Sequence, residues 1–452
     1  MKRTLLTLFL LGIIIFVFTL ACALWPTKSL AMTPVSSYSA LIARGQYIAI
    51  SGDCTACHTA PNGQPFAGGL EMASPIGLIY STNITPDQQT GIGKYSLSDF
   101  ERAVRHGIRS DGSTLYPAMP YPSYARLSDE DVQALYAYFM HSVTPIHAEN
   151  HATGIPWPLS IRWPLGIWRK LFAPRVDVKF DATKYQTPEI ARGAYLVQAA
   201  GHCGSCHTPR RITMQEKTLT DYESHGEDYL AGGQVIDGWF TSNLRANTAS
   251  GLGNWSEQDI IDTLKTSRNP GHAVIGSPMN DVVFHSTQYM TDADLKAIAV
   301  YLKTLSSTHD KRTSYAPDEA TAKALSAGSN PSHGATLYID NCAGCHRSDG
   351  QGYTRVFPRI ANNSSVLSDD PLSVIRLILQ GSTLPQTQIA PSDLSMPGFA
   401  QRLSDEDVAQ LATFIRQSFG NHASAVDSSQ VHKVRKTLKQ NLPSEKVDTA
   451  TQ

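Results

Sequence analysis

Net charge is nearly absent from this chain of 452 residues, which has 38 Lys and Arg residues and 39 Asp and Glu residues and therefore a formal charge of -1. A protein that binds nucleic acid through phosphate contacts needs a basic surface, so this balance argues against nucleic acid as a partner. Long apolar runs are scarce as well. After the N-terminal run Leu5–Leu20, no stretch is long enough to cross a bilayer. We therefore expect any membrane contact by the mature chain to be peripheral or to go through a partner.

Cysteine is almost absent outside one motif. Six of the seven cysteines lie in three Cys-x-x-Cys-His motifs, Cys54–His58, Cys203–His207 and Cys342–His346, and only Cys22 is left over. A zinc ribbon would need a second Cys-x-x-Cys close to each pair, and none is present. A redox dithiol does not require the histidine that follows every copy. Cys-x-x-Cys-His is the attachment motif of c-type haem, so the sequence predicts three covalently attached haem c groups.

Each motif supplies three residues to its haem. The two thiols form thioethers with the porphyrin, and the adjacent histidine reaches the iron from one side. The predicted attachment residues are Cys54, Cys57, Cys203, Cys206, Cys342 and Cys345. The predicted iron ligands from the motifs are His58, His207 and His346.

The second iron ligand is predicted to be methionine, which raises the reduction potential and favours electron transfer over oxygen chemistry. In the third module only Met396 follows the motif. In the first module Met119 occupies the same place ahead of the closing helix, with Met72 and Met140 as rivals. In the second module Met279 is favoured. Its rivals are Met290 and His272, while Met214 lies too near its haem loop to be favoured. No set of further histidines repeats in the three modules, which argues against bis-histidine ligation.

The N-terminus is typical of an export signal. Lys2 and Arg3 precede the apolar run, and a small-x-Ala site follows at Ser29–Ala31. We predict a cleaved signal peptide over residues 1–31, which agrees with haem attachment outside the bacterial inner membrane. The alternatives are an uncleaved anchor, because the run is nearly long enough to span a bilayer, and a lipoprotein signal at Cys22.

Other features repeat in phase with the motifs, whose first cysteines are 149 and 139 residues apart. A helical pattern with a recurring aromatic precedes each motif, and an acidic, Ser- or Thr-capped amphipathic helix closes each module. Ser96 and Ser256 are predicted N-caps after Gly-x-Gly turns, which lack the third glycine of a dinucleotide site. The fold class is therefore mainly α, with three tandem class I-like cytochrome c domains joined by linkers. The predicted ranges are signal 1–31, domain 1 36–148, linker 149–183, domain 2 184–308, linker 309–328, domain 3 329–420 and polar tail 421–452.

Two segments outside the modules have alternative interpretations. The first linker holds Trp157, Trp163 and Trp168, which we expect to pack on neighbouring modules, with docking to a partner or a membrane interface as the alternative. The tail from Asn421 is expected to be a solvated extension. Its alternative is a weak contact with a membrane surface, made by a helix whose apolar stripe is Val431, Val434, Leu438 and Leu442, beside a basic cluster.

Several longer motifs resemble one protein family. They are Gly52-Asp-Cys-Thr-Ala-Cys-His, Tyr80-Ser-Thr-Asn-Ile-Thr-Pro, Val104-Arg-His-Gly, Leu115-Tyr-Pro-Ala-Met-Pro-Tyr, Trp163-Pro-Leu-Gly-Ile-Trp-Arg and Gly201-His-Cys-Gly-Ser-Cys-His-Thr-Pro-Arg. From about Ser39 to Gly420 the chain resembles the three-haem cytochrome c subunit of membrane-bound bacterial dehydrogenases. That family serves quinoprotein alcohol dehydrogenase and the flavin-dependent gluconate, fructose and sorbitol dehydrogenases.

The resemblance implies an electron-transfer role without a substrate site of its own. A catalytic subunit, flavoprotein or quinoprotein, would oxidise the substrate on the periplasmic side of the inner membrane. This chain would pass the electrons to ubiquinone, and the complex would have room for a small third subunit. The alcohol dehydrogenase versions usually have a longer tail, so gluconate or a related sugar acid is the favoured substrate, with quinoprotein alcohol dehydrogenase as the alternative.

Two rival functions remain open from the residues alone. One is a stand-alone multihaem cytochrome that feeds a terminal oxidase, which would need no tight partner. The other is a haem enzyme such as a peroxidase, which would need an open distal position on one iron and is disfavoured by the three methionines.

Overall fold

The structure is a computed structural model that describes residues 2–24, 38–175, 178–248, 250–269, 276, 278–308 and 315–440. Its α-helices are α1 (Lys2–Leu24), α2 (Tyr38–Ser51), α3 (Cys54–Cys57), α4 (Leu97–His106), α5 (Tyr121–Tyr124), α6 (Asp129–His141), α7 (Trp163–Phe172), α8 (Pro188–Tyr195), α9 (Gly204–His207), α10 (Glu257–Thr266), α11 (Met279–His285), α12 (Asp292–Thr304), α13 (Glu319–Ser326), α14 (His333–Asn341), α15 (Ala343–His346), α16 (Leu372–Gln380), α17 (Asp405–Gln417) and α18 (Ser428–Gln440). The π-helical turn Leu196–Ala200 extends α8, and short 3-10 turns lie at Ala182–Lys184, Gly226–Asp228 and Thr287–Tyr289.

Strands in the described ranges form short antiparallel pairs. The pairs are β1 (Glu71–Ser74) with β2 (Gly77–Tyr80), β3 (Val235–Ile236) with β4 (Trp239–Phe240), and β5 (Ser382–Thr383) with β6 (Ser395–Met396). The mainly α class predicted from the sequence is therefore confirmed.

The N-terminal helix α1 contains the predicted signal. Its Phe16 ring meets the ring of Trp163 edge to face, with centroids 5.6 Å apart. Within the ranges that the structure describes, no helix combines the length and the apolarity needed to cross a membrane. The expected cleavage site at Ser29–Ala31 lies outside the described residues.

Helix starts follow the predicted capping chemistry. Ser96 and Ser256 each form a capping box, in which the serine hydroxyl accepts from the backbone N–H of the third helical residue and that residue's carboxylate accepts from the serine N–H. Ser404 forms the same box at the start of α17. These local bonds fix where the helices of each module begin.

In each module the helix that precedes the haem motif crosses the helix that closes the module, and the crossing is made at a glycine. A Cβ on Gly45 of α2 would lie 1.9 Å from the carbonyl oxygen of Ala134 in α6. A Cβ on Gly193 of α8 would lie 1.9 Å from the carbonyl oxygen of Ala297 in α12. At the third crossing, a Cβ on Gly334 of α14 would lie 2.6 Å from the carbonyl oxygen of Gln410 in α17. Only a residue without Cβ allows these backbones to approach so closely.

The described chain divides into two compact units. The first comprises Met1–Tyr229 and His285–Tyr301. Its core contains side chains of the first module together with residues of the π-turn after α8: Ile48, Phe100, Leu127, Phe139, Tyr195, Ala199 and Ala200. The second unit comprises Leu230–Phe284 and Leu302–Gln452. Its core includes Tyr338, Ile375, Leu411 and Phe419.

The tryptophans of the first linker differ in their surroundings. Trp168 packs as expected, because its Nε1 donates to the Thr213 carbonyl at 2.7 Å and its ring meets that of Tyr121. Trp157 is 80% exposed. The linker therefore both packs on the first unit and presents an aromatic side chain to its surroundings.

The expectation of a solvated tail is wrong for the described part of the tail. Residues 428–440 form α18, in which Val431 and Val434 are buried and Leu438 packs on the core of the second unit. Arg435 donates from Nε to Asp405 Oδ1 at 2.6 Å, which uses part of the basic cluster in an ion pair. The apolar stripe thus packs on the core of the protein, and Leu442 lies outside the described residues.

The first testable prediction concerns the crossing glycine. We expect Gly45→Ala to destabilise the protein by about 1–3 kcal/mol, because the added methyl group overlaps the backbone of α6 and separates two packed helices. The midpoint of chemical denaturation followed by circular dichroism measures the loss. Gly276→Ala is the control, since among the described residues the nearest atom to a Cβ at that position is a ring carbon of Trp239 at 3.8 Å, which is an ordinary contact. Equal midpoints for the two variants would contradict the crossing argument.

Candidate haem-binding sites

The first motif lies on a short helix directly after α2. Asp53 takes the left-handed conformation, with φ of 52°, and turns the chain from α2 into α3. The His58 N–H then bonds to the Cys54 carbonyl at 3.0 Å, so the two cysteines and the histidine share one helical turn. The crossing of α2 with α6 therefore also places this turn.

The imidazole of His58 is oriented by the backbone. Its Nδ1 lies 2.7 Å from the carbonyl oxygen of Thr82. A carbonyl only accepts, so Nδ1 carries the proton and Nε2 is the nitrogen with a free lone pair. Burial lowers the pKa of His58, with the Thr82 bond opposing that shift. The ring is thus held as the neutral tautomer that ligates a metal through Nε2.

The third motif repeats this arrangement. Nδ1 of His346 lies 2.8 Å from the carbonyl oxygen of Pro358, and burial again lowers the histidine pKa. In the second motif, His207 ends α9 and its N–H bonds to the Cys203 carbonyl at 2.9 Å. The motif histidines are therefore built on the same helical turn in all three modules.

A glycine lies against each carbonyl that orients a histidine. A Cβ on Gly68 would lie 2.4 Å from the Thr82 carbonyl carbon, and one on Gly352 would lie 2.6 Å from the Pro358 carbonyl oxygen. Gly232 stands in the same relation to Ser242 of the second module, at 2.6 Å. All three glycines have left-handed backbones, which a residue with Cβ adopts at a cost. The glycine of the first Ala-Gly-Gly thus packs behind the carbonyl that orients His58, and the glycine of the second Ala-Gly-Gly makes the equivalent approach to Ser242.

The motif cysteines are present as thiols. No disulfide joins the two cysteines of any motif. Burial raises the pKa of Cys54, Cys203 and Cys342 to about 12, so each of these groups is protonated at neutral pH before a cofactor is attached. Among the described residues, the one group of three potential metal ligands is His225, Glu227 and Asp228, which includes no motif residue.

Two of the predicted methionines lie beside the core that supports their motif. Met119 is half-buried and packs on the same core cluster as Cys54. Met396 lies in β6 and packs on the core cluster that contains Cys342. A Cβ on Gly381 would lie 2.2 Å from the Met396 carbonyl oxygen, so only glycine at this position lets β6 pass so close. Met119 and Met396 as iron ligands remain predictions that this packing favours.

The other methionines near the motifs differ from these in burial and in the element on which they lie. Met214 is 45% exposed, as expected of a residue that is not a ligand. Met290 is buried ahead of α12 and Met140 packs in the first core cluster, while Met72 lies in β1 and pairs with Ile79. Met279 is the first residue of α11 and is half-buried, and its role as the ligand of the second haem remains a prediction. His272 lies outside the described residues.

These residues fit covalently bound haem, which supplies a one-electron carrier at each motif. Two thiols and an adjacent imidazole are the groups that c-type attachment needs, and every motif supplies them on one turn. The partner carbonyls of Thr82 and Pro358 could not be identified from the motif, because they lie 24 and 12 residues further along the chain. The repeated Ser/Thr-Asn segment after the first two motifs was the available signal for the first of them.

Comparison with known proteins gives matches over most of the chain. The family model named Cytochrome c matches three segments, residues 42–142, 190–306 and 331–419. Each segment lies within one predicted module.

Curated relatives match over most of their own length. The gluconate 2-dehydrogenase cytochrome c subunit of Pantoea cypripedii is 51% identical, over 92% of this chain and 94% of the relative. The cytochrome c subunit of alcohol dehydrogenase (quinone) from Gluconacetobacter polyoxogenes is 51% identical, over 92% of this chain and 88% of the relative. The fructose dehydrogenase cytochrome subunit of Gluconobacter japonicus is 40% identical, over 90% and 85% of the two chains.

The second testable prediction concerns the glycine behind His58. Gly68→Ala should displace the Thr82 carbonyl and disturb the first haem site, giving fewer than the predicted three haems per chain. The ratio of haem to protein, from the pyridine haemochrome spectrum, measures this. Gly112→Ala is the matched control, since Gly112 is also left-handed, with φ of 83°, but has open space around it. A full haem complement in Gly68→Ala would refute the role given to this contact.

The third testable prediction concerns the methionine ligand of the third haem. Met396→Ala should lower the reduction potential of one haem, because methionine ligation raises it, within the roughly 0.8 V range that axial ligands span. A spectroelectrochemical titration of the purified chain measures the three potentials. The exposed Met214→Ala variant should titrate like the wild type. An unchanged titration of Met396→Ala would rule out Met396 as a ligand.

Proposed function

We propose that this chain, which belongs to the cytochrome c subunits of bacterial dehydrogenases, takes electrons from a separate catalytic subunit and passes them through its haems to a quinone. The matched family segments and the relatives confirm the three cytochrome c domains, the three covalently attached haem c groups and the electron-transfer role expected from the sequence.

The observation that carries the proposal is the repetition of one electron-transfer site. Each module has a Cys-x-x-Cys-His turn, and in the first and third modules a backbone carbonyl orients the imidazole of His58 or His346, the predicted iron ligand, through Nδ1. A predicted methionine opposite each histidine would fill the sixth position of the iron, which suits electron transfer better than peroxide chemistry. Three such sites in one chain support a relay role.

The catalytic partner is proposed to be a flavoprotein that oxidises gluconate or a related sugar acid. The gluconate relative supports this, and the match covers 94% of its length. A quinoprotein alcohol dehydrogenase is the second candidate, favoured by an alcohol dehydrogenase (quinone) relative of 51% identity. In both cases the substrate site belongs to the partner.

The acceptor is proposed to be ubiquinone, reached at the periplasmic side of the inner membrane. The N-terminal apolar helix supports export, and exposed apolar side chains of the first linker support peripheral membrane contact: Trp157 is 80% exposed and Leu159 is 54% exposed. Electrons would then leave the haems at the membrane surface.

The experiment is purification of the tagged full-length chain from membranes with mild detergent, followed by mass spectrometry of what accompanies it. We expect one large dehydrogenase subunit in a fixed ratio, and the same gel shows whether a small third subunit is present. A cofactor assay of that subunit distinguishes flavin from pyrroloquinoline quinone. Recovery of the chain alone, fully loaded with haem, would instead support a stand-alone cytochrome.

The fourth testable prediction concerns division of labour between the subunits. The complex should reduce a dye with gluconate, whereas the isolated chain should give no rate above background with gluconate, ethanol or fructose. Dye reduction is followed by absorbance, with equal haem concentrations in both assays. Substrate-dependent reduction by the isolated chain would contradict the proposed role.

A further inference from the structure

A narrow cleft in the first unit borders the loops of two haem sites. Pro117 and Pro120, which flank Met119, line one side. Ser205, inside the Cys203–His207 motif, lines another. A molecule in this cleft would therefore contact protein loops belonging to both the first and the second haem.

Apolar side chains form one part of the remaining wall, and the polar side chains of Arg210, Gln215 and Glu216 form the other. Trp168 and Phe172, on the last turn and a half of α7, line the cleft together with Leu219. The Trp168 ring is fixed by its bond to the Thr213 carbonyl and by contact with the Phe172 ring, with centroids 5.7 Å apart. Flat aromatic and proline surfaces suit a flat, uncharged ring.

A buried acid also lines the cleft. Glu216 Oε2 is buried and accepts no hydrogen bond from the described residues, while Oε1 accepts from Ser205 Oγ at 3.5 Å. Burial raises the pKa of Glu216 to about 7, with the nearby charges of Arg210 and Arg126 opposing the shift and that of Glu223 adding to it. This carboxyl can therefore release and regain a proton near neutral pH.

Exposed apolar side chains lie beside the cleft. Leu171 of α7 is 68% exposed, and Ile212 and Met214 on the adjacent loop are 99% and 45% exposed. Arg210, which also lines the cleft, holds this loop by donating from one guanidinium nitrogen to the Met214 carbonyl at 2.6 Å. Such a cluster is typical of a surface that meets a membrane or an apolar ligand.

We infer that this cleft binds the head group of an isoprenoid quinone, with Glu216 as a proton donor to one of the ring oxygens. The inference rests on the proposed function, because reduced c-type haem is the reductant. Reduction takes two electrons, one proton from the Glu216 carboxyl and one from water at the mouth. The O–H bond of the carboxyl and one O–H bond of that water break, and one O–H bond forms on each ring oxygen. Bulk solvent then returns one proton to Glu216 and one to the hydroxide left at the mouth.

The cleft opens by a side-chain movement. Its enclosed space is about 20 Å³, which is the room that roughly one water molecule needs. Phe172 is the last residue of α7 and is only half-buried, so a change of its rotamer is the smallest motion that admits a ring. Aromatic contact with the entering ring would then replace its contact with Trp168.

The test compares two acceptors in the intact dehydrogenase complex. Glu216→Gln keeps the size of the side chain but removes the acid, so turnover with a short-chain ubiquinone should fall by about 100-fold. Turnover with ferricyanide, which takes an electron without a proton, should be unchanged. Glu227→Gln is the matched control, because Glu227 lies shortly after Glu216 in the sequence but its side chain is 64% exposed and does not line the cleft. A ubiquinone rate in Glu216→Gln within about threefold of the wild type would overturn the inference.

A second measurement needs no variant. An azido-ubiquinone, photolysed with the wild-type complex, should label peptides from residues 117–122, 163–172 or 204–219, which line the cleft, and unlabelled ubiquinone should compete. Competed labelling elsewhere would overturn the inference and leave the proposed function in place. If the wild-type complex reduces ferricyanide but no quinone, and no competed label forms on any peptide, the proposed acceptor itself is wrong.

Discussion

The close crossing of two helices in each module is the constraint on which the rest of the structure depends. Gly45, Gly193 and Gly334 let one helix backbone lie directly on another. The haem motif follows the first helix of each pair within a few residues, so the crossing determines where the cysteines and the histidine lie. Because each module meets this requirement by itself, the same site can be repeated three times in one chain.

The orientation of the histidines is a second constraint, built on the first. A carbonyl of a later loop accepts from Nδ1, and a left-handed glycine allows that loop to come close. The protein thus fixes the tautomer and the direction of the ring before any iron is bound, which is the usual role of groups around a metal ligand. The predicted methionine on the other side of each iron would raise its reduction potential, which suits a relay of electrons.

Sequence reasoning was strongest where the chemistry is local. The Cys-x-x-Cys-His motifs and the serine caps at Ser96, Ser256 and Ser404 depend on residues within a few positions of one another, and the caps form as predicted. The Thr82 and Pro358 carbonyls were missed because any residue supplies a carbonyl and only the fold brings it near. The expectation of a solvated tail was wrong because it rested on the polar composition, whereas the few apolar residues around Val431 are enough to pack the helix on the core of the second unit. Glu216 was missed because burial, which no motif encodes, gives it its properties.

These features describe a chain whose residues hold haems as electron carriers, while another subunit performs the substrate chemistry. The most direct test is anaerobic mixing of the purified dehydrogenase complex with the partner's substrate while the haem absorbance is followed in a stopped-flow instrument. The account predicts that the c-type haem absorbance bands reach full reduction at a rate no slower than steady-state turnover. Haems that stay oxidised, while the same sample oxidises its substrate with a dye, would contradict the relay role.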